Sequence, residues 1–233
     1  MDLSPEVLQS VLGKFIILIL SIAVHEFGHA FIADRLGDRL PREQGRVTLN
    51  PIAHADPLGT VALPLISLVL SGGASIGFGW GKPVMTQTAA YTRKFTMRVG
   101  HMFVAFAGPA MNFVFGTLIA IVTCILFKSG VFTAESFYVP NTLPAMMLAA
   151  VWTNYVLMFF NLIPAKPLDG GAVLEGLLPQ SAMPLYREYE RYSFFVAAAF
   201  MMIHTLQMAF VWPATQLLIG ILHTLGLPVP YRI

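Results

Sequence analysis

Residues 24–29 read Val-His-Glu-Phe-Gly-His. Positions four apart on an α-helix share a face. His25 and His29 can therefore both turn an imidazole toward one zinc ion. Glu26 stands beside them as the general base for a water that the metal activates. The motif lies in an apolar run, Phe15 to Leu36, and Phe15 to Val24 contains neither Gly nor Pro. Ionisable groups inside a helix of membrane length are costly and mark function by default. The other reading is a pair of helix histidines satisfied by their neighbours.

Two histidines do not complete a catalytic zinc site, which usually takes three protein ligands and leaves one position open. Among twelve acidic residues, the one most clearly set in an apolar, turn-rich stretch is Asp169. Pro164 and Pro167 interrupt the helix before it, and Gly170 and Gly171 after it permit close backbone approach. An ordinary turn ending a membrane helix is the alternative. Peptide hydrolysis also needs hydrogen-bond donors aimed at the developing oxyanion. Asn112 and Asn161 are candidates, each an amide in an apolar stretch; helix–helix hydrogen bonding is the other use of such amides. His54 reads, on chemistry alone, as a surface histidine. His101, His204 and His223 are scattered.

The elements that must position these residues are those of a membrane protein. The chain of 233 residues is 56% hydrophobic and 11% charged, where soluble domains carry about 25% charged residues. An all-α polytopic membrane protein is expected, with about five to six transmembrane helices. Segment one runs from about Val7 to Leu36, segment three from Val99 to Phe127, and segment four from about Leu143 to Ile163. Segment two, Leu58 to Leu70, is short, is interrupted by Pro64 and runs into Gly-rich sequence, which fits an irregular or re-entrant segment. Residues 179–192 suit an interfacial helix. Phe194 to Leu225, with Pro213 near its middle, suits two helices or one hairpin. Residues 1–178 thus form a core and residues 179–233 an interfacial segment with a C-terminal hairpin. Phe78 to Thr88 is compatible with a strand that an extended peptide could join, or with a plain connecting loop.

The balance of charge is too slight to suggest nucleic acid, at a net +2. The single cysteine, Cys124, excludes an internal disulfide and a Cys-based zinc site, and suits packing. No basic leader precedes segment one, so a cleaved signal peptide is not expected. No stretch is long enough for a separate soluble domain. Positive charge sets the topology. If segment two re-enters, one face carries eleven Lys/Arg and the other Lys14 and Lys128, with Arg232 of the C-terminal tail outside the count. The positive-inside rule then puts residues 34–98 and 164–192, with the zinc site's opening, on the cytoplasmic face of the cell membrane.

His25-Glu26-Phe27-Gly28-His29, Gly108-Pro109-Ala110-Met111-Asn112, and Asn161-x-x-Pro164 followed by Leu168-Asp169-Gly170 resemble the three signature segments of the site-2 protease family of intramembrane zinc metalloproteases. The stretches Asn50 to Thr60 and Gly79 to Val84 resemble its short bacterial and archaeal branch. The motifs fall in the family's order over about residues 20 to 178. The resemblance implies one zinc per chain and hydrolysis in or near transmembrane segments of protein substrates within the lipid bilayer. It also implies a place near the active site for His54, as a gate or accessory contact and not as a primary ligand. Two other readings stand beside it: an inactive relative that binds membrane proteins, and a metal transporter.

Overall fold

The computed structural model describes residues 5–70 and 79–229. The rest of the Gly-rich stretch, 71–78, with the Phe78 end of the expected strand, lies outside the described residues. Among the described residues, the six longest helices are α1 (Pro5–Arg35), α2 (Met97–Lys128), α3 (Leu143–Asn161), α4 (Asp169–Leu177), α5 (Met183–Met202) and α6 (His204–Leu225). There is no strand among the described residues. The protein is all-α and polytopic, as expected. Four of these helices, α1, α2, α3 and α6, are long and apolar enough to cross a membrane.

Local sequence sets the ends of the helices. Thr96 caps α2 by accepting from the Val99 N–H, and Thr142 caps α3 by accepting from the Ala145 N–H. Gly226 ends α6 in the left-handed conformation. The outer faces are apolar: Leu8, Leu12, Ile16 and Leu20 form an exposed stripe at helical spacing along α1. In water such a stripe would be unfavourable, and in lipid it is the ordinary surface.

Helix α2 is central and packs against α1, α3 and α4, while α6 packs on α3. Side-chain pairings give the directions. On α1 and α2, His25 meets Asn112 and His29 meets Val104, so these helices are antiparallel. On α1 and α3, Gln9 bonds the Asn141 carbonyl just before α3, and Ser21 bonds Asn154, so these run parallel. The end of α1, the start of α2 and the end of α3 therefore lie at one end of the bundle. Residues 36–96 leave and return at that end, which makes no net crossing. At the other end, Phe132, Phe137, Leu148 and Leu222 form the main apolar core, with Cys124 buried among them.

Two boundaries differ from the sequence expectation. Pro64 does not stop segment two: Pro57–Ala62 is wound as a π-helix and Leu63–Leu70 continues as α-helix. The wider turn is capped by Asp56, whose carboxylate accepts from the Leu58 and Gly59 N–H groups. In the C-terminal part, the polar stretch 183–192 and the first apolar turns form one helix, α5. The break comes at Ile203, which is extended, and not at Pro213. Pro213 sits inside α6, where Ala214, Leu218 and Leu222 are fully buried and hold the helix against its neighbours.

Candidate metal centre

Two glycines bring α1 and α2 together where the histidines lie. A Cβ on Gly28 would stand 2.5 Å from the Ala107 carbonyl oxygen, and one on Gly108 would stand 2.7 Å from Cε1 of His25 and overlap the His29 ring. Only glycine allows this approach. After α3 ends, residues 162–168 fold back through short turns, with Leu168 N–H donating to the Ala165 carbonyl at 2.9 Å. Asp169 then opens α4 and points at the two imidazoles.

His25 Nε2 lies 3.0 Å from His29 Nε2 and 3.1 Å from Asp169 Oδ2, and His29 Nε2 lies 3.5 Å from that oxygen. Tetrahedral zinc with bonds near 2.0–2.1 Å separates its ligands by about 3.3 Å. The donor set fits. Asp169 Oδ2 is buried without a hydrogen-bond partner, as a ligand oxygen would be. Among the described residues, this is the group of His, Cys, Asp or Glu side chains placed to hold a metal. Burial pushes the Asp169 carboxyl up, but His29 and His25 outweigh it and hold the group below the usual carboxylate range.

The three ligands and Glu26 line a cleft of about 740 Å³. One wall is the extended segment 79–87. Its alternate residues are tied to the scaffold: Trp80 N–H to the Gly59 carbonyl at 3.2 Å, Lys82 N–H to the His54 carbonyl at 2.9 Å, and Val84 N–H to Glu26 Oε2 at 3.2 Å. Their carbonyls face the same way, Trp80 O accepting from Thr60 and Lys82 O from Arg46. In extended backbone the intervening residues face the opposite side. Gly79, Gly81 and Pro83 therefore turn an edge toward the cleft they line. Asp38 holds the far end, accepting from Gln87 N–H at 2.5 Å.

Asn161 lines the cleft, with Nδ2 donating to the Leu157 carbonyl of its own helix at 2.9 Å. Asn112 does not. It is fully buried behind His25, with Oδ1 2.7 Å from His25 Nδ1 and Nδ2 donating to Ser21 and Asn154. Its amide is spent on neighbours, so it does not face an oxyanion. His54 is buried outside the cleft, Nε2 donating to the Thr48 carbonyl at 2.8 Å. Burial holds its pKa below the usual imidazole value. The structure thus brings together His25, Glu26, His29, Asp169 and Asn161, and leaves Asn112 and His54 behind them. Sequence reasoning missed His101, which lines the cleft with a buried, unpartnered Nδ1. It also missed Arg46, which is 4% exposed and donates to the Ala53 and Lys82 carbonyls. Asn154 was missed as well, although it meets the criterion that singled out Asn112 and Asn161.

Residues 14–204 match the model of Peptidase family M50. The chain is similar to YwhC of Bacillus subtilis, 32% identical over 181 residues that cover 78% of this chain and 76% of YwhC. It is also similar to Rip2 of Mycolicibacterium smegmatis, 32% identical over 71% of this chain and 59% of Rip2. Both bear the name "Putative zinc metalloprotease". "Zinc metalloprotease MJ0392" of Methanocaldococcus jannaschii is 24% identical over 70% of this chain and 34% of its own length. The chain therefore spans three quarters of YwhC but less than two thirds of Rip2 and MJ0392. No solved structure matches. The match over most of the chain and the geometry of the donor set agree: the chain belongs to peptidase family M50, the site-2 protease family, and is a metalloprotease with zinc as its cofactor.

Proposed function

We propose that the protein hydrolyses peptide bonds in or near transmembrane segments of membrane proteins, from a site that opens toward the cytoplasm. The observation that carries this reading is the convergence of three ligand atoms, with Glu26 beside them, in a cleft between helices of membrane-spanning length. His25, His29 and Asp169 would hold the zinc, which would supply Lewis acidity toward water and the scissile carbonyl. Glu26 takes the proton of the attacking water and delivers it to the leaving amine. The Val84 N–H orients the Glu26 carboxylate for this by donating to Oε2. Asn161 has a second amide N–H to offer the oxyanion.

A transmembrane substrate arrives as a helix whose amides are internally bonded, and it must unwind before attack. The edge at residues 79–85 offers the unwound stretch a backbone to pair with. The apolar side chains of Leu157, Phe160 and Phe194 line the cleft around it. A transporter would need a track of polar sites along its helices, and the metal-holding cluster of the described residues is single.

Glu26→Gln tests the chemistry. Cleavage of a membrane-embedded reporter is expected to fall by about 10²–10⁴-fold, with the zinc content of the purified protein unchanged. Cleavage near the wild-type rate would overturn the role of Glu26. Orientation rests on the even number of crossings between α1 and α2 and on the eleven basic residues at the cleft end. A tag-accessibility map is expected to place residues 37–57 and 82–98 both on the cytoplasmic face. Tags on opposite faces would contradict that topology.

A further inference from the structure

Behind the ligands, on the side away from the cleft, three polar residues from three helices meet: Ser21 of α1, Asn112 of α2 and Asn154 of α3. Each is essentially inaccessible. Buried amides in an apolar bundle are costly unless their donors and acceptors are used. Here they are used in a chain. Asn154 Nδ2 donates to the Ala150 carbonyl and to Ser21 Oγ, both at 2.9 Å. Asn112 Nδ2 donates to Asn154 Oδ1 at 2.9 Å and to the Ser21 carbonyl at 3.1 Å. Asn112 Oδ1 faces His25 Nδ1 at 2.7 Å.

Two main-chain carbonyls fix the direction of this chain. A carbonyl oxygen only accepts. The nitrogen of Asn154 must therefore face Ala150 O, and the nitrogen of Asn112 must face Ser21 O. Asn154 is then left with its oxygen toward Asn112, and Asn112 is left with its oxygen toward His25. An acceptor opposite Nδ1 holds the imidazole proton there. The lone pair of His25 Nε2 then points at His29 and Asp169. His29 reaches the same state by a shorter route, since its Nδ1 donates to the Val104 carbonyl at 2.7 Å. One ligand is set by backbone, which no substitution removes. The other is set by a side-chain relay, which a substitution can break.

We infer that Asn154 is a positioning residue of the metal centre. It acts through Asn112 to hold His25 in the tautomer and orientation that ligate zinc. This rests on the metal-centre reading above and adds a residue that lies outside the cleft and touches neither ligand nor substrate.

The test is zinc affinity, measured by competition with a chelator on the detergent-purified full chain. It compares wild type, Asn154→Leu, Asn112→Leu and the double variant. Asn154→Leu is expected to weaken zinc binding by about 10–100-fold, the usual effect of losing a partner that orients a ligand. Because Asn154 acts through Asn112, the double variant is expected to bind zinc no more weakly than Asn112→Leu alone. Thr123→Val removes an equally buried hydroxyl on α2 and is expected to leave affinity unchanged, which separates positioning from general loss of packing. If the leucine variant does not fold, Asn154→Ala is read in the same way. Affinity within about twofold of wild type for the Asn154 variant would overturn the inference, as would independent, multiplying losses in the double variant. Absence of zinc binding by the wild type would overturn the metal-centre reading itself, a distinct result.

Discussion

At the scale of single residues, the site depends on what is absent as much as on what is present. Gly108 leaves the space in which the two imidazoles sit. Gly108→Ala would put a methyl 2.7 Å from His25 Cε1 and into the His29 ring. Bound zinc and cleavage are both expected to fall by at least about tenfold, since removing orienting contacts has that effect on metal sites. Gly220 has open space where its Cβ would be, and Gly220→Ala is expected to leave both unchanged. Metal analysis of the two variants side by side checks this; full zinc in Gly108→Ala would contradict the packing. The residues proposed to do the chemistry stand out in the sequence where the signal is local. His25, Glu26 and His29 lie within one helical turn and a half, and Asp169 stands out between prolines and glycines. For Asn112 the structure favours the second of its two sequence readings, a helix–helix hydrogen bond, and its particular partners on α1 and α3 were not legible because they are distant in sequence. Arg46 gave no signal at all: it is one of several arginines in a loop, and only the fold shows that it is buried.

At the scale of elements, the segment 79–87 is the part that needs explanation. It is extended but outside any sheet, it forms one wall of the cleft, and it is held almost wholly by side chains and carbonyls of other elements. Arg46 is one of its fasteners. The guanidinium joins the carbonyl of Lys82 to that of Ala53. Burial pulls the Arg46 pKa below its ordinary value, partly offset by Glu26. Arg46→Met keeps most of the volume and leaves two carbonyls without a donor, at about 1–3 kcal/mol for each buried unsatisfied group. The segment then loosens while the zinc ligands, carried by α1 and α4, stay in place. KM for a transmembrane substrate is expected to rise several-fold with zinc content unchanged; an unchanged KM would count against the edge as the substrate's dock. The helices themselves were readable from apolar runs and caps. The break between the last two was not. Proline draws attention to position 213, but in a packed membrane helix its missing N–H is tolerated, and the extended Ile203 has no sequence mark.

At the scale of the whole molecule, the antiparallel α2 between parallel α1 and α3 explains why three motifs scattered over 145 positions, from His25 to Asp169, can meet. The even return of residues 36–96 puts the end of α1, the start of α2 and the end of α3 at one face. The same return gathers most of the basic residues there. Charge counting already favoured that topology, because the alternative splits the arginines across the membrane. What the sequence could not supply is depth: which side of each helix faces the cleft, and which amides lie behind it. His25, His29 and Asp169 are proposed to hold one zinc ion together. The most direct test of this is the metal content of the detergent-purified protein, wild type beside Asp169→Ala. About one zinc per chain in the wild type, falling sharply in the variant, is expected. Zinc fully retained without Asp169 would contradict the three-ligand site, and a wild type that takes up no zinc even on reconstitution would contradict the metal centre as a whole.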